Sequence, residues 1–290
     1  MSNLFAMVTL KSSHLYTSYA LESFFKNTKV NNNDDFLLID NDGCELGNFS
    51  SYKKITIIKN KIPMSFAKNV NQAIDKAIKS KKNLIFLNND IVFTKNWIQP
   101  LELNLKDISI PVSNQLFPCQ SDCGNLDLKV TMNLKDFNNN HLLLNEIVEK
   151  HIEKYQLHKK TQGLLMPFFC FKIPYQILNE IGYFDTTFID GAEDIDYRIR
   201  CAIKGYDVNF LLDSYLLHFH GKSTWDSGET YNQTEVRNKL YTEAFLKKWG
   251  TNMTQIFILR KDFSHILLEK RLNDIFKKGK FGELIRQLLK

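Results

Sequence analysis

The sequence predicts an α/β fold with a mostly parallel sheet and helices on both faces. Short apolar strands alternate with helical patterns along the first third of the chain, and those strands are apolar throughout. Strands of that kind are buried on both faces, as in parallel sheets with crossover helices. The chain has 290 residues, 43% of them hydrophobic, which is enough for one large domain with a small appendage.

The first part of the chain supplies the clearest elements. Ser65 suits the N-cap of a helix because its hydroxyl can accept a hydrogen bond from the first turn. Ligands bind beyond the carboxyl ends of strands in such sheets, and Asp40 and Asp90 follow two of the predicted strands. We expect strands at 4–10, 36–40, 55–58 and 83–87, and helices at 15–25 and 65–78.

The middle of the chain is less regular. Two prolines, two cysteines and an asparagine-rich turn between 101 and 162 predict irregular structure, followed by a helix from about 141 to 155. The apolar run 164–173 contains Pro167, which predicts an edge strand or an interrupted strand. Two further strands are predicted at 208–212 and 215–217.

Three carboxylates stand together in the run Gly191-Ala-Glu-Asp-Ile-Asp. A helical pattern follows, so Glu193, Asp194 and Asp196 are expected in the first turn of a helix. A carboxylate there could take a proton from a substrate hydroxyl. A structural role is equally open, because acids favour the positive end of a helix dipole and pair with bases four residues on. The pairs in question are Asp194–Arg198 and Asp196–Arg200.

Charge and cysteine content narrow the class of protein. The net charge of +6 is too small to argue for a nucleic-acid binder, and it suits anionic small molecules or an anionic membrane surface. No run approaches the ~20 apolar residues that cross a bilayer, and no basic secretion signal precedes the first strand. The five cysteines form no C-x-x-C pair, which predicts reduced thiols in a cytoplasmic protein.

The last forty or so residues differ from the rest. We expect a first domain at 1–250 and a basic, amphipathic helical extension at 251–290, with lysines and arginines opposite the apolar face. Two interpretations stay open, which are peripheral contact with an anionic membrane and a helical pair docked on the body or on a twin subunit. The apolar face consists of Phe281, Leu284, Ile285, Leu288 and Leu289.

Four features occur in one order: Asp40, then Leu87-Asn-Asn-Asp90, then Gly182-Tyr-Phe-Asp with Glu193-Asp-Ile-Asp, then His218-Phe-His-Gly-Lys-Ser. Together they resemble the family 2 inverting glycosyltransferases with the GT-A (Rossmann-like) fold, in the bacterial branch that builds surface polysaccharides. The resemblance runs from about 5 to 249. It implies transfer of a sugar from a nucleotide-diphosphate donor, a UDP-sugar being favoured, to a hydroxyl of a glycan or lipid-linked acceptor.

The resemblance also implies roles for the matching residues. Asp194 would be the general base, and Glu193 would lie beside it at the donor. Asp40 would hold the nucleotide base, and Asn71 belongs to the donor-binding helix. Asn88 and Asp90 match the Asp-x-Asp motif that binds the diphosphate and a divalent ion, Mn²⁺ or Mg²⁺. Because Asn88 replaces the first acid, the metal dependence stays open.

The remaining matches concern the metal and the acceptor. His218 would join the metal or the diphosphate, and His220 fits less well because the usual interval runs from His218 to the serine. Trp225 and Asp196 would contact the acceptor. Trp225 could equally fill the core, and Trp97 is expected to do so.

For the other candidate residues, a purely structural role without any ligand stays open. Asp40 and Asp90 could cap turns after their strands, and the histidines could be ordinary core or surface residues. A nucleotidyltransferase would want a glycine-rich phosphate loop after the first strand, and Lys11-Ser-Ser lacks the glycines. A non-catalytic nucleotide-sugar or glycan-binding protein is favoured by Asn88 and opposed by the intact Glu-Asp-x-Asp run.

Overall fold

The computed structural model of the protein describes residues 2–44, 49, 52, 55–114, 132–155, 160–164, 167–189, 191–219, 221–222, 230–259 and 270–290. Over these residues the chain forms a nine-stranded sheet flanked by helices. The predicted α/β fold class is confirmed.

The first half of the sheet is parallel. β1 pairs with β2 and with β4, and β2 pairs with β3. The strands and both helices lie where the sequence predicts them, and Ser65 is the N-cap of α2, although its hydroxyl makes no capping hydrogen bond. The elements are β1 Asn3–Thr9, α1 His14–Asn27, β2 Asp35–Asp40, β3 Ile55–Lys59, α2 Phe66–Ser80 and β4 Asn83–Leu87.

The second half of the sheet is mixed. β8 runs antiparallel to β4 and β6, while β6 and β9 are parallel to each other. β5 and β7 are both antiparallel to β9. The strands are β5 Ile91–Phe93, β6 Ile108–Ser113, β7 Lys160–Gln162, β8 Cys170–Ile173 and β9 Val208–His218. The helices are α3 Gln99–Leu103, α4 Leu134–Asn139, α5 His141–Tyr155, α6 Tyr175–Ile181, α7 Glu193–Ile203, α8 Tyr231–Phe257, α9 Lys270–Lys277 and α10 Phe281–Leu288.

Strand β6 was not predicted. It contains Pro111, and its pairing with β9 shifts register between Pro111 and Val112. A proline has no N–H to donate, and such an irregularity is where a sheet accepts one. The expectation of irregular structure is therefore wrong at 108–113, where all six residues are buried.

Two further strand predictions need correction. β8 lies between β4 and β6, so it is not an edge strand, and it begins at Cys170, after Pro167. β9 is one strand of 11 residues where the sequence suggested two. The polar interruption is accommodated because the buried Ser214 hydroxyl donates to the Trp97 carbonyl at 2.6 Å. Trp97 itself is fully buried, as predicted, and its indole donates to Thr28 Oγ1 at 2.8 Å.

The C-terminal helices pack on the body. Phe281, Leu284 and Ile285 of α10 are fully buried in a second apolar cluster with residues of α7 and α8. The Arg286 guanidinium donates to the Ala202 carbonyl at 2.9 Å, near the end of α7. The apolar face of α10 is thus in contact with the body, as in the docked interpretation. Among the described residues, no helix combines the length and apolarity needed to cross a membrane.

The predicted boundary at 250 falls inside α8. Gly250 has a φ of 81°, which breaks the helical path there. Residues on both sides of this kink, Phe245 and Met253 among them, share the second apolar cluster. Cys44, Cys170 and Cys201 are free thiols, while Cys119 and Cys123 lie outside the described residues.

Candidate active site

The candidate site lies at the carboxyl edge of the parallel strands. Asp40 is the last residue of β2, and 88–90 follow β4 directly. β1 lies between these two strands, so both acids belong to one edge of the sheet. β9 ends at this edge too, because Ile91 pairs with His218 in the antiparallel ladder of β5 and β9. Residues distant in sequence are thereby brought together.

Asp90 and His218 form the centre of this edge. Asp90 Oδ1 lies 3.2 Å from His218 Nε2, and the Lys222 amide donates to Asp90 Oδ2 at 3.2 Å. Both side chains are buried. Burial alone would raise the pKa of Asp90, but the His218 imidazole and the Lys222 amide together lower that pKa below its ordinary value. Asp90 is therefore held as a carboxylate.

This pair of side chains fits a divalent ion. Carboxylate and imidazole are both acceptable to Mn²⁺, and Mg²⁺ sites commonly complete their shell with substrate phosphates. No group of three or more His, Cys, Asp or Glu suited to a metal occurs in the described ranges, so Asp90 and His218 would need those phosphate oxygens. His220, the other predicted ligand, lies outside the described residues.

Asp40 is a buried carboxylate. It is fully inaccessible, and neither of its oxygens makes a well-formed hydrogen bond within the described residues, although the Asp42 carboxyl and the Gly43 amide interact with it. Burial, together with the nearby Asp42 carboxyl, raises the pKa of Asp40 to about 6. A buried polar group without a partner is costly unless a ligand supplies one. The geometry therefore suits an incoming N–H donor.

Four amide side chains form a network beside Asp40. The oxygen of Asn41 accepts hydrogen bonds at 2.9 Å from the Met64 amide and from the Asn60 and Asn69 side chains. Gln72 extends the network to the Asn60 oxygen at 3.1 Å. This network of amides holds the loop between β3 and α2 against the end of β2. None of these four residues was predicted to have a role, and the amides at 41, 60, 69 and 72 form no recognisable sequence motif.

Asn88 and Asn89, which precede Asp90, form hydrogen bonds with different parts of the chain. The Asn89 amide donates to Ser13 Oγ at 2.7 Å and to Thr17 Oγ1 at 2.9 Å, which ties the turn to the start of α1. The Asn88 N–H donates to the Phe169 carbonyl at 2.8 Å, and Asn88 as a whole is half-buried. The turn that carries Asp90 is therefore fixed from both sides.

Asn71, predicted in the donor-binding helix, is used by the protein itself. Its side-chain nitrogen donates to the Phe184 carbonyl at 2.9 Å, and its oxygen accepts from the Phe184 amide at 2.8 Å. The oxygen and the nitrogen of the Asn71 amide thus both bond to the backbone of one residue, Phe184, in the Gly182-Tyr-Phe-Asp segment. Asn71 joins α2 to the segment that leads into the first turn of α7, which carries Glu193, Asp194 and Asp196 and is called the acidic turn below.

The three acids lie in the first turn of α7, as predicted. The N-cap is Ala192, whose φ of 69° is in the left-handed region. Asp194 is half-buried, and its Oδ1 accepts from the Ile195 amide at 2.8 Å. Glu193 is buried. A left-handed conformation at a residue other than glycine is strained, which is common in functional turns.

Asp196 is fully buried and engaged by three side chains. Its Oδ2 accepts from Arg200 Nε at 2.8 Å, which is the predicted pair. Its Oδ1 accepts from Trp249 Nε1 at 3.0 Å and lies 2.6 Å from Lys248 Nζ. These contacts occupy Asp196 within the protein, away from the acceptor role the resemblance implied. Trp225, the other implied acceptor contact, lies outside the described residues.

The other predicted pair, Asp194–Arg198, is not the contact that Arg198 makes. The Arg198 side chain is buried, and its guanidinium lies 3.5 Å from the Gly163 carbonyl. Burial lowers the pKa of Arg198 to about 10, against the opposing effect of Cys201 and Asp207. The predicted pairing explanation thus accounts for Asp196 and not for Asp194.

Consecutive phenylalanines connect the acidic turn to Asp90. Phe168 packs against Tyr197 of α7 with ring centroids 6.4 Å apart. Phe169 stacks on the His218 ring at 4.9 Å. Two adjacent residues before β8 thus contact both α7 and His218, which connects the helix that carries Asp194 to the Asp90–His218 pair.

Sequence comparison identifies no relative, since no family model matches the chain and no curated protein does. Solved structures match in fold. GalNAc-T7 with UDP, GalNAc and Mn²⁺ superposes with a TM-score of 0.59 at 12% identity, covering 98% of this chain and 55% of that one. This chain thus spans about half the length of GalNAc-T7.

Two more structures agree. S. aureus TarS 1–349 with UDP-GlcNAc gives a TM-score of 0.55 at 16% identity, covering 98% of this chain and 82% of that one. The mannosyltransferase PcManGT from Pyrobaculum calidifontis, with GDP-Man and Mn²⁺, gives a TM-score of 0.50 at 10% identity, covering 99% of this chain and 85% of that one. At such low identities the likeness establishes the fold, which is that of the GT-A glycosyltransferases.

Proposed function

We propose that this protein is an inverting glycosyltransferase that moves a sugar from a nucleoside diphosphate to a hydroxyl of a glycan or lipid-linked acceptor. The observation that carries the proposal is the meeting of Asp90 and His218 at 3.2 Å on the carboxyl edge of the sheet. Support also comes from the GT-A fold, whose solved examples above bind UDP, UDP-GlcNAc or GDP-Man.

The donor would lie across the ends of β2, β1 and β4. When ionised, Asp40 can only accept hydrogen bonds, so it would select a base with an N–H, such as the imide of uracil. This favours a UDP-sugar. Asp90 and His218, with Asn88 alongside, would face the diphosphate, while Asn71 supports the site through Phe184.

The chain's own groups provide the acid–base chemistry. The acceptor oxygen forms a bond to the anomeric carbon while the bond from that carbon to the diphosphate oxygen breaks. The acceptor's hydroxyl proton passes to the Asp194 carboxylate, and the nucleoside diphosphate leaves with the electron pair. A positioned base of this kind contributes on the order of a hundred- to ten-thousand-fold in rate. One displacement inverts the anomeric configuration, and Glu193 lies beside the base.

A divalent ion held by Asp90 and His218 would supply charge neutralisation to the leaving diphosphate. Independently of it, the Lys222 amide holds Asp90 in a fixed orientation. The stacked Phe169 ring excludes water from one face of His218. Both contacts prepare the site before a ligand arrives.

A screen of nucleotide sugars by thermal shift, with and without Mn²⁺, tests the proposal. A ligand at a hundredfold excess over its Kd adds about 2.7 kcal/mol to stability, so a true donor raises Tm clearly. Transfer is then followed with the stabilising donor, and NMR of the product reports the anomeric configuration. No shift with any nucleotide sugar would overturn the proposal. Calorimetric binding without turnover would favour the non-catalytic binding protein that Asn88 suggests.

A further inference from the structure

Lys248, on α8, links two acids that flank the candidate base. Its ammonium lies 2.6 Å from Asp185 Oδ2, in the segment before α7, and 2.6 Å from Asp196 Oδ1, inside α7. Asp194 lies in the chain between those two acids. The lysine therefore closes a loop around the acidic turn.

Each end of this link is fixed further. Asp185 Oδ1 accepts from the Thr187 hydroxyl at 2.7 Å and from the Thr187 amide at 2.9 Å. Burial alone would raise the pKa of Asp185, but the bonds from Lys248 and Thr187 lower it to about 2. The Lys248 ammonium also lies 5.5 Å from the centre of the Phe188 ring.

Arg200 completes the attachment from α7. Besides Asp196, its guanidinium donates to the Ile181 carbonyl at 3.1 Å and to the Tyr183 carbonyl at 2.9 Å. These carbonyls surround Gly182, at the start of the segment that Asn71 holds at Phe184. Asp196 is thus the point where Arg200 and Lys248 meet.

The backbone just before the acidic turn adopts an unfavourable conformation that neighbouring residues must stabilise. Ala192 adopts a left-handed φ of 69° immediately before the acids. Tyr241 of α8 packs directly on Gly191, where any side chain would collide with its ring. Such a conformation costs of order 1–3 kcal/mol and persists only where the surroundings impose it. Two residues of α8 contact the chain on either side of Ala192: Tyr241 at Gly191 and Lys248 at Asp196.

We propose that Lys248 is a positioning residue for Asp194, acting through Asp185 and Asp196 on the acidic turn. This inference rests on the proposed function. Lys248 does not need to touch the substrate, because a displacement of about 1 Å in a catalytic group is enough to cost on the order of a hundredfold in rate. Its removal would loosen the turn without emptying the donor site at the ends of the strands.

The test compares Lys248→Met, Lys248→Arg and the neighbouring control Lys247→Met. Lys247 is exposed on the same helix. For Lys248→Met we expect kcat to fall roughly ten- to a hundredfold, with the donor KM within about twofold of wild type as the positioning role requires. Hydrogen exchange should accelerate in peptides that contain Thr187 or Ile195. Lys248→Arg should recover most of kcat, and Lys247→Met should match the wild type.

Three results would overturn the inference: an unchanged kcat in Lys248→Met, a parallel rise in donor KM, or faster exchange throughout the protein. If the wild type itself transfers no sugar, the proposed function fails. The exchange comparison then still decides whether Lys248 holds the acidic turn, because it needs no turnover.

Discussion

The two sides of the candidate site are built differently. On the donor side, Asp40 and Asp90 are set by the backbone of parallel strands and are buried at their ends. On the side of α7, the turn that carries Asp194 is held by side chains from another helix, Lys248 and Tyr241. The donor side thus takes its position mainly from the strand ends, with Asn89 and the Asn41 network holding the adjoining turns, whereas the turn at Asp194 depends on two side chains of α8.

The largest expected effect comes from the candidate base. Asp194→Asn should lower kcat on the order of a hundred- to ten-thousand-fold, because the amide cannot take the acceptor's proton. Donor affinity, measured by calorimetry, should stay within about twofold of wild type, since the donor side is separate. Asp274→Asn, on the exposed surface of α9, is the matched control. A fully active Asp194→Asn would remove Asp194 from the mechanism.

Asp90→Asn should act on the donor side instead. Removing this carboxylate should cost on the order of a hundredfold in the Mn²⁺-dependent affinity for a nucleoside diphosphate. Titration of the diphosphate with and without Mn²⁺ measures this, and a chelator added to wild type should reproduce the loss. If the Mn²⁺ response survived in the variant, the metal would be held elsewhere.

Asp40→Asn should weaken donor binding by about tenfold, the loss of one charge-assisted hydrogen bond. Donor binding to wild type should also weaken below about pH 6, because the protonated carboxyl no longer accepts freely. A calorimetric series from pH 5 to 8 tests both expectations. Equal affinities for uridine and cytidine diphosphates across that series would contradict a base-selecting role.

Stability should respond to pH through the same group. Asp40 has a raised pKa in the folded protein, so its contribution to the free energy of unfolding is fully present below about pH 4. That contribution is lost as the pH rises through about 6. Between those values wild type should lose more stability than Asp40→Asn, as measured by urea unfolding. Identical pH profiles would show that Asp40 is not the group that titrates.

The smallest expected effect concerns the other end of α7. Arg286→Met removes the hydrogen bond to the Ala202 carbonyl and should cost about 1 kcal/mol. For a protein of this size Tm should fall by about 2–4 °C, while kcat stays unchanged. Lys290→Met, at the exposed C-terminus, is the control. A large loss of kcat would mean that α10 also holds the acidic turn.

The donor side could be predicted from sequence because its rules are local. Strands that are apolar throughout indicate a parallel sheet. Asp40 and Asp90 stand at or just after the carboxyl ends of two such strands, and those ends lie on one edge of the sheet. β1 through β4 accordingly lie where they were predicted. The partner of Asp90, His218, came from the family resemblance and meets it through the β5–β9 ladder.

The second side depended on contacts that no local pattern contains. Nothing in the sequence around Lys248 indicates that it reaches Asp185 and Asp196, since α8 is brought to them by the tertiary fold. Strand β6 was not predicted for a related reason. It contains Pro111, and only its pairing with β9, where the register shifts, shows that a proline is tolerated there. The pairing of Asp196 with Arg200 follows from their spacing, but its contact with Trp249 does not, because Trp249 is distant in sequence.

The adjacent rings at 168 and 169 have a consequence for how this protein can vary. In the turn that leads into β8, Phe168 meets Tyr197 while Phe169 meets His218. A shift of one residue in the pairing of β8 with β4 would move both rings away from these partners. The alignment of one four-residue strand therefore sets both sides at once. Insertions or deletions close to this strand should be far less tolerated than substitutions within it.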